Sequence, residues 1–177
     1  MALALALVLV LGVLAVAGCG SEEGDGVDMQ NAAERADGML DAVLQEIDPK
    51  VDWTHGPTTT GSCEVSRRRT VMTVISVDRR GSFLGIVDRY WRRSGYQINA
   101  INNDSEFPAI YAKTKEGYAA SLRFGGEGQA FFRIDSPCVE ESEVADSTTR
   151  PTAPTYEGME NIPRPNIRSS FWSAGAP

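Results

Sequence analysis

The residues able to do chemistry in this chain are few. His55 is the only histidine among 177 residues. It can serve as a general base only where the fold brings it a hydroxyl and a carboxylate. A single histidine rules out metal centres that need two, the HExxH helix included. Neither a GxSxG elbow nor a phosphate-binding Gly-Lys loop occurs. Gly125-Gly126-Glu127-Gly128 reads as a turn between strands. Glu140, Glu141, Glu143 and Asp146 lack calcium-loop spacing, and no acidic pair sits in a glycosidase-like motif. The sequence therefore assigns no catalytic residue, no metal ligand and no cofactor.

Arginine is the more informative residue type. It is dense at Arg67-Arg68-Arg69, at Arg79-Arg80 and at Arg92-Arg93. A planar guanidinium binds phosphate or carboxylate through paired hydrogen bonds. Arg67, Arg68, Arg69, Arg92 and Arg93 are thus candidate contacts for an anion such as a lipid phosphate or an anionic wall polymer. The competing expectation is a solvated face, or pairing with nearby acids, as for Asp88 and Arg92 four residues apart on a helix. Overall the chain has 17 basic and 24 acidic side chains, net −7, which argues against a nucleic-acid partner. By region, residues 1–18 carry no charge, 19–59 net −8, 60–135 net +4 and 136–177 net −3. A mildly basic core is flanked by acidic segments.

Residues 1–18 read MALALALVLVLGVLAVAG, an uncharged apolar run ending in small residues. That is the h-region pattern of an export signal. Val16-Ala17-Gly18-Cys19 then resembles the lipobox of bacterial lipoproteins. The resemblance implies that a diacylglycerol is attached to the Cys19 sulfur and that the leader is cut before it. Several acyl chains then hold the protein to the outer face of the cytoplasmic membrane. Export also places Cys63 and Cys138 in an oxidising compartment, where an isolated pair is expected to form a disulfide. Residues 19–28 are rich in Gly and acid and read as a flexible tether reaching about 15 Å.

The elements that must position these residues follow from periodicity. Asp28 is a helix N-cap candidate. Met29, Ala32, Ala33, Ala36, Leu40, Val43, Leu44 and Ile47 then make one apolar stripe. Glu34, Asp37, Asp41 and Glu46 fall on the other face, and Asp48-Pro49 ends the helix. Val51 to Ser62 reads as a short strand and a loop. Arg69 to Asp78 reads as a central strand, with a start near Cys63 as the alternative. Arg79-Arg80-Gly81 reads as a turn, with Ser82 capping a second helix that Gly95 ends. Four runs follow: Tyr96–Ile101, Ala109–Thr114, Tyr118–Phe124 and Gln129–Asp135, the last three a meander joined by short turns.

This order predicts an α+β domain over residues 29–140: an antiparallel sheet of about four to five strands, two helices packed on one face. Residues 146–177 hold five of the nine prolines and are expected to be a disordered tail. Phe171 and Trp172 near its end are candidates for docking. Leader, lipobox and the pattern Trp91-x-x-x-Gly95-Tyr96, Gly117-Tyr118 and Ser136-Pro137-Cys138 resemble small secreted lipoproteins of actinobacterial type. The functional expectation is a lipid-anchored, non-catalytic envelope protein that binds or scaffolds an envelope component or protein. The alternative is an envelope-acting hydrolase using His55.

Overall fold

The computed structural model describes residues 26–154 and 163–176. The elements run α1 (Met29–Glu46), β1 (Trp53–His55), β2 (Thr59–Thr60), β3 (Val65–Val71), α2 (Val77–Arg93), β4 (Gln97–Asn102), β5 (Ala109–Lys113), β6 (Ala119–Phe124) and β7 (Ala130–Asp135). The strands form one sheet in the order β1-β3-β7-β6-β5-β4, with β2 also paired to β3. All pairings between these strands are antiparallel. The class is α+β, as expected. The strand count of seven exceeds the expected four to five, because two very short strands, β1 and β2, add themselves along β3. Helix α1 lies over β3 and β7, and α2 over β4 and β5.

Helix α1 begins where Asp28 accepts a hydrogen bond from the Asn31 amide at 2.8 Å, satisfying one orphan N–H. Its apolar stripe is buried along its whole length, from Met29 to Leu44. Facing it are Val71, Ile134, Phe132 and their neighbours.

Strand β3 and helix α2 both lie earlier than the sequence suggests. The strand ends at Val71 because its partner β7 begins at Ala130, opposite Val71. Beyond that point pairing has no partner strand. Arg79, Arg80 and Gly81 belong to α2 rather than to a turn. The cap position falls at Ser76, not Ser82. The C-terminal end of α2 matches expectation. Gly95 takes φ +81°, the amide of Tyr96 bonds Trp91 O, and the amide of Gly95 bonds Arg92 O. Tyr96 then stacks on Trp91 at 5.9 Å, the apolar contact that accompanies this termination.

Cys63 and Cys138 lie at disulfide distance, with Cα atoms 4.7 Å apart. They join the approach to β3 to the exit from β7. The amide of Val139 bonds Cys63 O at 2.7 Å beside them.

The expectation of a disordered tail does not hold for the described residues beyond Asp146. Thr152 accepts from the Trp53 amide at 3.0 Å, and the Ala153 amide bonds Trp53 O at 3.0 Å. Ile167 bridges to Thr73. Trp172 is fully buried, edge-on to Phe83 at 5.2 Å, with its indole N–H on Pro49 O at 2.6 Å. Composition averages over the segment and conceals this. One indole buries on the order of 200 Å², enough to anchor a polar stretch. Residues 155–162 lie outside the described residues.

Candidate functional site: an open sheet face

Strand β3 carries Arg67, Arg68 and Arg69 in succession, and strand alternation sends them to opposite faces. Arg67 and Arg69 point beneath α1 and are 2% and 0% exposed. Asp37 receives both: Oδ2 lies 3.1 Å from Arg67 Nε and Oδ1 2.7 Å from Arg69 Nη2. Asp41 Oδ1 lies 3.4 Å from Arg69 Nη2. Arg67 also donates to Thr58 Oγ1 and to Ala145 O, each at 2.6 Å. The Arg69 guanidinium covers the Trp53 ring at 4.7 Å. Two of the arginines expected to meet an external anion are therefore committed internally. Asp37 is correspondingly not on a wet helix face. It sits at the edge of the buried stripe, where only a cation could follow it inside.

His55 is half-buried beside this network. Its Nε2 lies 2.8 Å from Thr149 O. A carbonyl only accepts, so this nitrogen carries the proton and is a donor. Nδ1 is then the ring nitrogen left as the acceptor.

The third arginine of the run points the other way. The helices leave the opposite sheet face open, and the register defines three rows across it. The first is Ser66, Asp135, Ala119, Lys113 and Gln97. The second is Arg68, Arg133, Ser121, Tyr111 and Ala100. The third is Thr70, Phe131, Arg123, Ala109 and Asn102. Four cations and one carboxylate thus share this face. Arg133 takes up that carboxylate, its Nε 2.6 Å from Asp135 Oδ1. Ser66 donates to Asp135 as well. Arg123 lies over the Phe131 ring at 4.9 Å. A depression of about 360 Å³ opens between Asn99, Tyr111, Ser121, Arg123, Arg133 and Asp135. The small side chains of Ala119 and Ser121 leave that space.

Arg68 is electrostatically strained. Partial burial, then Arg133 and Arg123, hold its guanidinium below the ordinary value, against an opposing pull from Asp135. Cations crowded on a face without matching acids form a field that an anion relieves.

The other candidates are dispersed. Arg92 pairs with Asp88 and Arg93 with Glu46, each at 2.8 Å on the surface of α2. They are remote from β3 in the chain and each already has an acid. Cys19, its lipobox and residues 19–25 of the tether lie outside the described residues. No described helix is long and apolar enough to cross a membrane. Comparison with protein-family models, curated proteins and solved structures gives no match.

Sequence reading missed Lys113, Tyr111, Arg123, Phe131 and Arg133. The signal was present. Ala119, Ser121 and Arg123 alternate with Ala120, Leu122 and Phe124, and Phe131 and Arg133 alternate with Ala130, Phe132 and Ile134. Period-two alternation assigns one set to the core and the other to the open face. Dense arginine runs drew attention away from single basic residues spaced along separate strands.

Proposed function

We propose that this chain is a lipid-anchored, non-catalytic domain of the cell envelope that binds a polyanionic envelope polymer on its open sheet face. Acyl chains on Cys19 supply the anchor, following the lipobox pattern Val16-Ala17-Gly18-Cys19. The observation that carries the binding reading is the row geometry: Arg68, Arg133 and Arg123 on three adjacent strands, interleaved with Tyr111 and Phe131. Strands about 4.8 Å apart set the β3 and β6 backbones that carry Arg68 and Arg123 about 10 Å apart across the sheet, with Arg123 one row along. A chain laid across the strands meets cations in succession, with aromatic rings flanking the trough. Phosphate and carboxylate groups are the anions that guanidinium forks match.

The test is binding of soluble polyphosphate to the wild type and to the Arg68→Gln/Arg123→Gln variant. Saturable binding that weakens with salt and falls at least about tenfold in the variant is expected, equivalent to about 1.4 kcal/mol. Equal binding by both proteins overturns the assignment. Preference for anionic vesicles over polyphosphate would reassign the face to the membrane surface. The anchor is tested separately: labelled fatty acid incorporates into the wild type and not into Cys19→Ser.

A further inference from the structure

A second feature lies at the N-terminal end of α2, on another part of the molecule. A cavity of about 570 Å³ opens there, within the size range of small-molecule sites. Its walls come from the start of α2, the turn before β7 and the docked C-terminal segment. Gly128 permits the close fit: its φ is +78° and a Cβ there would lie 2.9 Å from Val74 Cγ1.

Two buried polar side chains line this cavity. Ser76 occupies the cap position of α2, is 4% exposed, and makes no capping bond. Its hydroxyl has no hydrogen-bond partner among the described residues. A serine at this position ordinarily caps the first-turn amides, and this one leaves them without that cap. Arg80, one turn on, is also 4% exposed. Its Nε donates to Ile75 O at 3.5 Å and its Nη1 to Glu106 O. Both are backbone carbonyls, and no carboxylate forms an ion pair with Arg80 among the described residues. Burial holds its guanidinium below the ordinary value, with Glu106 opposing. A buried cation whose direct partners are neutral carbonyls and the Phe124 ring, 5.8 Å away, retains a strong attraction for an anion, and here it stands beside the positive end of a 17-residue helix.

The mouth has the opposite character. Asp78 and Glu106 are exposed and line it, with one exposed cation, Arg168, on the C-terminal segment beside them. Glu127 lines it too but is paired with Arg164 at 2.6 Å. A bare polyanion would meet the Asp78 and Glu106 carboxylates on entry. A ligand with one negative and one positive end meets both poles favourably.

We propose that this cavity binds a small zwitterion of dipeptide size. Its carboxylate would sit at Ser76, Arg80 and the α2 N-terminus, and its ammonium at Asp78 and Glu106. This goes beyond the polymer-binding role, uses none of the residues of the sheet face, and stands or falls independently of it.

The test is titration of the purified full-length chain with glycylglycine, N-acetylglycylglycine, glycylglycinamide and inorganic phosphate, followed by calorimetry. Glycylglycine is expected to bind saturably. Blocking either end should weaken binding at least about tenfold, the scale of one charge-assisted hydrogen bond. Ser76→Ala and Asp78→Asn should each weaken glycylglycine binding several-fold, with thermal unfolding unchanged by more than a few degrees. These small or exposed sites avoid the folding defect expected of an Arg80 variant. Equal binding of the capped peptides, tighter binding of phosphate than of glycylglycine, or no saturable binding of any probe would each overturn the proposal.

Discussion

Arg68 and Arg133 stand directly opposite one another on β3 and β7, on the sheet face that the helices leave uncovered. Like charges in that relation oppose sheet formation by a few tenths to about 1 kcal/mol. Arg133 has an outlet in Asp135, whereas Arg68 forms no ion pair among the described residues. The fold retains the arrangement although a neutral pair would serve the ladder better. Such local conflict is the pattern expected where function, not stability, selects the residue.

Replacing Arg68 by Gln should therefore raise stability rather than lower it. The expected gain is up to about 0.5 kcal/mol at low salt, shrinking as salt screens the repulsion. Urea unfolding of the two proteins at two ionic strengths measures it. A destabilised variant would mean that Arg68 contributes packing on this face that outweighs the charge.

On the helix side the same strand behaves oppositely. Asp37 is the shared counter-ion of Arg67 and Arg69. Asp37→Asn keeps the shape but leaves two buried guanidiniums with only the half-buried Asp41 nearby. Removing one member of a buried ion set costs about 3–5 kcal/mol, so this variant should be largely unfolded at mild urea concentrations. Asp41→Asn, which affects a 3.4 Å contact with Arg69 and the bond it accepts from Thr149 Oγ1 at 2.6 Å on a half-buried side chain, should cost less. Equal effects from the two substitutions would contradict the shared role given to Asp37.

Most strand positions after α2 were legible because period-two patterns and turn residues agree there. The expected bounds for β4 to β7 differ from the observed ones by a residue or so. Around β3 the reading failed for a physical reason. Val71 to Val77 is apolar and β-branched, so local propensity continues the strand, but pairing stops where β7 stops. Arg67 and Arg69 looked wet because nothing in the sequence marks Asp37 as their partner 30 and 32 residues earlier. Tertiary pairing, not propensity, decides both cases. The open face failed differently: its cations come from four strands, so no single run of sequence displays them together.

The C-terminal segment supplies the third prediction. Trp172 fills space against Phe83 and donates to Pro49 O. Trp172→Ala should cost about 3–5 kcal/mol, whereas Phe171→Ala, whose ring is 37% exposed, should cost about 1 kcal/mol or less beyond its contact with Arg79. Thermal unfolding of both variants separates them. A Trp172→Ala protein as stable as the wild type would return this segment to the status of a free tail.

Alkaline pH gives the last prediction, through Tyr96. Burial, then Tyr90 and Glu116, oppose its phenolate, with Arg35 the weaker opposing influence, and its pKa rises from 10 to about 12. The folded state therefore holds the proton more tightly than the unfolded chain. The stability this represents is fully present below pH 10. It is lost as pH climbs from 10 through about 12, because the unfolded chain releases the proton first. Tyr96→Phe keeps the stack on Trp91 and has no proton to release. Its stability should decline less between pH 10 and 12 than that of the wild type, while below pH 9 the gap between the two should not vary with pH. Chemical denaturation across that range checks it, and identical alkaline slopes for the two proteins would show that Tyr96 ionises in the fold as freely as it does in the unfolded chain.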